Sequence, residues 1–361
     1  MTTLAHTFFT TQQKLFPALE CELQQPLGDR LQLFVMVAEL IDPAPFLGPL
    51  EWQGRGRPSH WRLPMVLSFI AKAVLNLPTT RALLDRLRHD ATLRRLCGWE
   101  RVAQLPSEPT FSRAFAAFAR QQLPERLHEA MLRTHWADKL AGHVSRDSTA
   151  IEAREQATHK PPAVKYRRGR PRKDEVRPPR RSRRLLLQPT RTLQENLADL
   201  PRRCDCGAKK NSQGHLQFWR GYKLHLDVID GQIPVSAILT SASTHDSQVA
   251  IPLAQTTARR LTNLYDLMDA GYDAQEIRDF SRRLGHVPLI DPSDRPGGGP
   301  PLCPAQAQRY KQRTTVERVN GDLKDNHGGR HVRVRGALKV MAHLMWGVLV
   351  VTAKGLCRLL E

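Results

Sequence analysis

Residues 309–324, RYKQRTTVERVNGDLK, constrain this chain more than any other stretch, because they put ionisable groups where a helix would ordinarily put its core. Tyr310, Arg313, Glu317 and Lys324 follow the spacing Y-x2-R-x3-E-x6-K. On a helix turning ~100° per residue, these positions fall within a sector of roughly 60°. One face therefore carries a carboxylate flanked by a guanidinium, an ammonium and a phenol. Such a face can be a solvated surface on which Arg313 and Glu317 pair one turn apart. It can also be a cation-binding carboxylate beside phosphate-binding side chains, the combination needed to cut or join nucleic acid. The second reading requires distant parts of the chain to bring further carboxylates to the same place.

Charge favours the second reading. The chain of 361 residues carries 55 Lys and Arg against 35 Asp and Glu, a formal net charge of +20. Such an excess implies a polyanionic partner, with double-stranded DNA the first choice. An anionic membrane surface would need an anchor. The apolar stretch near the C-terminus, 337–360, has an uninterrupted apolar run of only about ten residues, against ~20 needed to cross a bilayer, so it reads as a buried core helix and no membrane is expected. Hydrophobic content of 40% supports a real core, and the length suggests two domains. The six cysteines are mostly scattered, as in a reducing compartment, and MTTLAHTFFTTQQKLF lacks the pattern of a signal peptide. A cytoplasmic protein is expected.

Residues 1–140 read as helical. LQLFVMVAEL, LPMVLSFIAKAVLNL, RALLDRLRHDATLRRL and SEPTFSRAFAAFARQQL have helical periodicity, and Ser107 or Thr110 is placed to cap the last. Exposed arginines at 81, 86, 88, 94, 95 and 113 fit a helix-turn-helix-like unit for DNA-end binding, dimerisation or both.

At HVSRDSTAIEARE the period changes to two, and Asp147 shares a strand face with Ser145 and Thr149. It is either an edge aspartate facing water or a ligand-binding carboxylate. Residues 155–214 then form a basic insertion. Within it, 165–184 holds 11 basic and two acidic residues with little to bury, and is expected to be disordered. Arg168, Arg170, Arg172, Lys173, Arg180 and Arg181 are the candidate phosphate contacts there, and Arg168-Gly169-Arg170-Pro171 is similar to a minor-groove hook. Cys204, Cys206 and His215 do not have the usual zinc spacing, and a turn with ordinary thiols is expected.

RGYKLHLDVIDGQIPVSAILTSA reads as a β-hairpin, with Asp246 capping the helix that follows. A short strand at 264–268 then delivers Asp269 at its C-terminal end, where carboxylates of α/β sheets commonly act. Asp266 should face away by alternation, and Asp273 with Glu276 has the look of a capping box.

The 309–324 pattern matches the C-terminal signature of DDE-type transposases of bacterial insertion sequences, the insertion-sequence-four and -five group, and the chain resembles that family from about residue 60 onward. The resemblance implies an α/β fold, a ribonuclease-H-like mixed sheet with flanking helices, over 141–361, preceded by the helical N-terminal domain. It implies Asp147, Asp269 and Glu317 as catalytic metal ligands for two Mg²⁺ ions, with Mn²⁺ able to substitute, and Tyr310, Arg313 and Lys324 as contacts to DNA. It further implies cleavage at terminal inverted repeats, transfer of the 3′-OH into target DNA, a homodimeric synaptic complex and a nucleoid-associated location. A transposase-derived DNA-binding regulator without catalysis is the alternative. The loop at 292–304 is too short for the β-rich insertion some relatives carry, so that insertion's features do not transfer.

Overall fold

The computed structural model describes residues 27–47, 62–136, 139–158, 184–210, 213–292 and 301–360. Six longer helices precede the first strand: α1 (Asp29–Leu40), α2 (Arg62–Val74), α3 (Thr80–His89), α4 (Ala91–Leu96), α5 (Glu108–Arg120) and α6 (Leu123–Trp136). Their aromatic residues recur at helical spacing and meet inside. The Phe69 ring on α2 lies 5.9, 5.3 and 6.1 Å from the rings of Phe111, Phe115 and Phe118 on α5.

The segment 81–96 is two helices where periodicity alone suggested one. Asp90 ends α3 and caps α4 by accepting from the Leu93 amide at 2.9 Å, a local bond that competes with continued helix. Among the arginines expected to be exposed, Arg94 is buried. Its guanidinium donates to the carbonyls of Leu87 and Arg88, satisfying acceptors left open at the end of α3. Arg81 and Arg86 pair with Glu108 and Asp90, and Arg113 is exposed, donating to Thr110 Oγ1.

The sheet holds β1 (Leu140–Ala153), β2 (Asp205–Lys210), β3 (Leu216–Ile229), β4 (Ile233–Ser241), β5 (Thr262–Met268), β6 (Val287–Ile290) and the short β7 (His331–Val332). β4, β3 and β1 are antiparallel neighbours, and β5 and β6 continue parallel to β1. This order, β4-β3-β1-β5-β6 with the switch at β1, is that of a ribonuclease-H-like sheet. The expected hairpin is β3–β4, turning through Asp230, Gly231 and Gln232, the last two at positive φ.

β2 and the first half of β3 overshoot this core. β1 pairs with β3 only as far as Glu152 opposite Gly221, and from Gly221 outward β3 pairs with β2 instead. A Cβ at Gly221 would stand 2.1 Å from the Ile151 carbonyl oxygen, so the handover requires glycine. The result is a two-stranded ribbon extending past the end of β1.

That ribbon corrects the expectation for 155–214. Residues 159–183, which include Arg168, Arg170, Arg172, Lys173, Arg180 and Arg181, lie outside the described residues. Residues 184–210 are ordered. Helix α7 (Leu193–Asp199) starts with a Thr192–Glu195 capping box, and β2 joins the sheet. Cys206 lies on β2 rather than in a turn, exposed, while Cys204 just before it is buried.

Helices α8 (Ser247–Ala258), α9 (Gln275–Arg283), α10 (Pro304–Tyr310), α11 (Thr314–Asn326) and α12 (Ala337–Leu360) complete the fold. α12 is long and apolar enough to cross a bilayer, yet 83% of its apolar window is buried inside the fold. Its Trp346, Leu349 and Ala353 share one core with Phe34, Phe69 and Leu127 of the N-terminal helices and with Val144 and Val235 of the sheet. The helical half and the sheet are thus joined through a common apolar interior.

Candidate active site

The site is set by one register. β1 and β5 pair in parallel with Arg146 opposite Met268, so the next residues, Asp147 and Asp269, emerge side by side where β5 leaves the sheet. Ala270–Tyr272 form a single 3-10 turn there, and the Asp269 carboxylate accepts from the Gly271 amide at 2.9 Å. The opposite strand face is fixed by buried polar groups. Arg146 donates twice to Asp227 at 2.8 Å and once to the Met268 sulfur, while Asp266 accepts from Asn263, Ser281 and His286. Asp266 therefore faces away from Asp269, as alternation requires. Asp273 does not cap α9. It binds the Arg278 guanidinium at 2.8 Å, and Ala274 holds the cap position without a side-chain bond.

The Tyr310–Lys324 face is helical but not one regular helix. Lys311–Arg313 tighten into a 3-10 turn between α10 and α11. Val316, Val319 and Leu323 of α11 pack into the core with Ile151, Leu224 and Leu226. This seats Asn320 over β1, where its amide donates to Asp147 Oδ2 at 3.2 Å. The Tyr310 hydroxyl donates to the Met268 carbonyl at 3.1 Å, bracing the end of β5. Arg313 Nη2 lies 2.5 Å from Glu317 Oε1, and half of the Glu317 side chain is exposed.

Electrostatics report the same geometry. Burial pushes the Asp147 carboxyl up to about 6, and Asp269 beside it acts in the same direction. The Ser148 amide, Arg313 and Lys209 oppose the rise. Burial also raises Asp269, with Asp246 adding repulsion and Gly271, Arg313 and Lys209 opposing. Burial works against the charge of Arg313, but Tyr310, Glu317, Asp147 and Asp269 together hold it firmly protonated. The guanidinium thus sits within the field of all three candidate carboxylates.

Asp147 and Asp269 line an open cleft of about 830 Å³ together with Lys324, Asp246, Lys209 and residues of the β2–β3 ribbon. Asp246 sits at the N-cap position of α8 without capping it; its carboxylate takes the Lys223 ammonium at 3.0 Å instead. The sequence reading took Asp246 for a helix cap and passed over Lys209 and Asn320, since their link to the site is made only by folding. An N-x2 offset from Glu317, one helical turn on, was the available signal for Asn320.

The donor set fits a hard divalent cation in part. Two oxygen ligands lie together, each made reluctant to ionise, and the Tyr272 hydroxyl is buried in their field without a hydrogen-bond partner. Glu317 is not gathered with them: among the described residues, no group of three or more His, Cys, Asp or Glu side chains is arranged to hold a metal ion. Its carboxylate is committed to Arg313, a cation already in place.

Comparison with known families gives two matches. Residues 141–352 match the Transposase DDE domain, and residues 21–117 match a second family described as Transposase domain (DUF772). No curated protein and no solved structure matches the chain. The first match spans the whole sheet, both clustered aspartates and the 309–324 signature, and covers more than half of the sequence. The chain belongs to the DDE transposases, a family that binds the ends of mobile DNA and works with divalent metal ions.

Proposed function

We propose that this transposase cuts DNA at the terminal inverted repeats of an insertion sequence and joins the freed 3′-OH to target DNA, using Asp147, Asp269 and Glu317 as its metal ligands. The observation that carries the proposal is the Arg146–Met268 register, which seats Asp147 beside Asp269 at the switch between the antiparallel and parallel halves of the sheet. Two Mg²⁺ ions, or Mn²⁺ in their place, would neutralise charge on the phosphate and activate the attacking oxygen.

The chain's own residues do the rest. Asn320 donates to one Asp147 oxygen and helps to fix how the carboxylate is turned beside the cleft. Tyr310 keeps the end of β5 in place through the Met268 carbonyl and contacts a phosphate or stacks near the DNA terminus. Glu317 would serve as a metal ligand once parted from Arg313, whose guanidinium would then face the phosphate. Lys324, on the cleft wall, takes the adjoining backbone. Water attacks first and the 3′-OH second, so no covalent bond to the protein forms.

Residues 1–140 act in end binding and pairing of two copies, Arg113 among their contacts. The basic arm within 155–214 adds phosphate contacts, and the protein works at the nucleoid. The test is a Mg²⁺-dependent nicking assay on the flanking inverted repeats. Asp147→Asn, Asp269→Asn and Glu317→Gln should each reduce cleavage at least about a hundredfold while DNA binding persists. Near-normal cleavage by any one variant removes that residue from the set.

One observation favours a second reading, a DNA-binding regulator that acts by occupancy. The Arg313–Glu317 ion pair leaves only two carboxylates together. Repeat-specific binding with no nicking in Mg²⁺ or Mn²⁺ would establish it.

A further inference from the structure

Two helix C-termini meet where the helical half of the fold reaches α11. α2 ends at Val74 and α11 at Asn326, and the last turn of any helix leaves backbone carbonyls without an intrahelical donor. Here each end supplies donors to the other. His327, the C-cap of α11, donates from Nδ1 to the Ala73 carbonyl at 3.1 Å. Asn76, two residues past α2, donates its amide to the Asp325 carbonyl at 2.9 Å. Arg30 of α1 bridges both ends, giving its guanidinium to the Val74 carbonyl and to Asn326 Oδ1, each at 3.2 Å.

Such a joint is unfavourable without those donors. A helix C-terminus carries about half a negative charge, so two of them side by side repel unless cations lie between. Arg30 lies there, and Lys72 in the last turn of α2 lines the small cavity behind it. Asn76 adopts φ 51° to make its bond, a left-handed backbone uncommon outside glycine. From the other side α12 closes on His327: a Cβ at Gly347 would stand 2.7 Å from the His327 carbonyl oxygen. Stopping α11 needs none of this, because Gly328 at φ 80° already turns the chain.

What the joint holds is the turn that carries Lys324, the residue just before the carbonyl that Asn76 caps. Lys324 lines the cleft of Asp147 and Asp269. Burial, then Lys209 and Arg330, work against the charge on its ammonium, so a Lys324 free to swing would leave the cleft for water. We propose that Arg30, Asn76 and His327 are positioning residues for Lys324: the reciprocal cap between α2 and α11 fixes the turn that presents this lysine to the DNA backbone. The N-terminal helices thereby complete the phosphate-binding side of the site. The inference rests on the cleavage reading for the role of Lys324, but its test needs no cleavage.

The experiment uses the full-length protein without divalent ions and a duplex carrying the flanking inverted repeat, with affinity measured across a range of salt. Lys324→Ala should weaken binding several-fold and make the salt dependence shallower by about one phosphate contact. Asn76→Gly keeps the left-handed turn, removes no charge and deletes only the amide. It should nevertheless shift affinity and salt slope in the same direction. Asn326→Ala, which takes away the acceptor of Arg30, should do likewise. The double variant Asn76→Gly/Lys324→Ala should bind no more weakly than Lys324→Ala alone, because the first change acts through the second residue.

Additive losses in the double variant would overturn the proposal, as would an unchanged salt slope in both Asn76→Gly and Asn326→Ala. A lowered melting temperature with wild-type DNA affinity would make the joint a matter of stability alone and also overturn it. The two readings fail separately. Normal nicking by the wild type with additive losses sinks the positioning role alone; non-additive losses without nicking by the wild type sink the cleavage reading alone.

Discussion

Arg313 Nη2 stands 2.5 Å from Glu317 Oε1, and the same guanidinium lies in the field of Asp147 and Asp269. A fixed cation among three carboxylates occupies the electrostatic position that a divalent ion would take. On the proposed ligand set the two compete, because a metal ion that takes Glu317 has to displace Arg313. Arg313→Ala should therefore bind Mn²⁺ roughly tenfold more tightly, as expected when one like charge is removed from a partly buried site. The same variant should lose DNA cleavage, because the phosphate then lacks its guanidinium. Mn²⁺ titration without DNA reads the first effect, and unchanged or weaker Mn²⁺ affinity would show that Arg313 does not compete.

Asn320 acts in the opposite sense. Its amide donates to Asp147 Oδ2 at 3.2 Å and so favours the charged, correctly turned carboxylate against the burial that raises it. Asn320→Ala should weaken Mn²⁺ binding by about tenfold to a hundredfold, the usual cost of losing a residue that orients a metal ligand. The fold should survive, since the core contacts of α11 come from Val316, Val319 and Leu323. Calorimetric titration with Mn²⁺, paired with thermal melting, separates the two effects.

Much of this arrangement was legible in the sequence, for physical reasons that vary by residue. Asp269 could be read because a strand with period two must turn Asp266 to the other face, and that face is where Asp266 meets Ser281 and His286. The core helix at the C-terminus could be read from the shortness of its apolar run. Asp90, by contrast, splits a regular apolar pattern through a bond only its side chain makes. Asp273 matches a capping box but finds Arg278, five residues on, a stronger partner than an amide. The place of 205–210 in the sheet depends on β2 finding β3, a pairing no local pattern encodes. Likewise the exchange of Glu317 between Arg313 and the two aspartates is a contest among distant groups, which spacing alone leaves undecided.

The Arg146–Asp227 pair ties β1 to β3 on the face opposite Asp147 and is almost wholly buried, with side-chain exposures of 2% and 0%, while the same guanidinium donates to the Met268 sulfur on β5. Thr257 also donates to Asp227 at 2.6 Å. Asp227→Ala would strand a guanidinium in the sheet's interior and should destabilise the protein by about 3–5 kcal/mol in urea unfolding. The double variant Arg146→Met/Asp227→Leu removes both charges and should recover most of that loss. Recovery in the double variant with impaired Mn²⁺ binding would separate the stability of the pair from the hold that Arg146 has on β5 through the Met268 sulfur. A double variant as unstable as Asp227→Ala would contradict the account.

Glu125 on α6 gives the fold a pH dependence of its own. Burial raises its carboxyl to about 7, its own backbone amide opposing, and Oε2 is buried without a hydrogen-bond partner. In the unfolded chain the same group titrates near its ordinary value of 4.5. Between those pH values the folded state binds more protons than the unfolded state, so stability must fall as pH rises through this window. The loss attributable to Glu125 is roughly 3 kcal/mol, complete above the folded value. Glu125→Gln, neutral at every pH, should be more stable than the wild type at pH 8 and close to it at pH 4. Urea unfolding of the two proteins from pH 4 to 8 measures the difference, and parallel curves across that range would mean that Glu125 titrates normally in the fold.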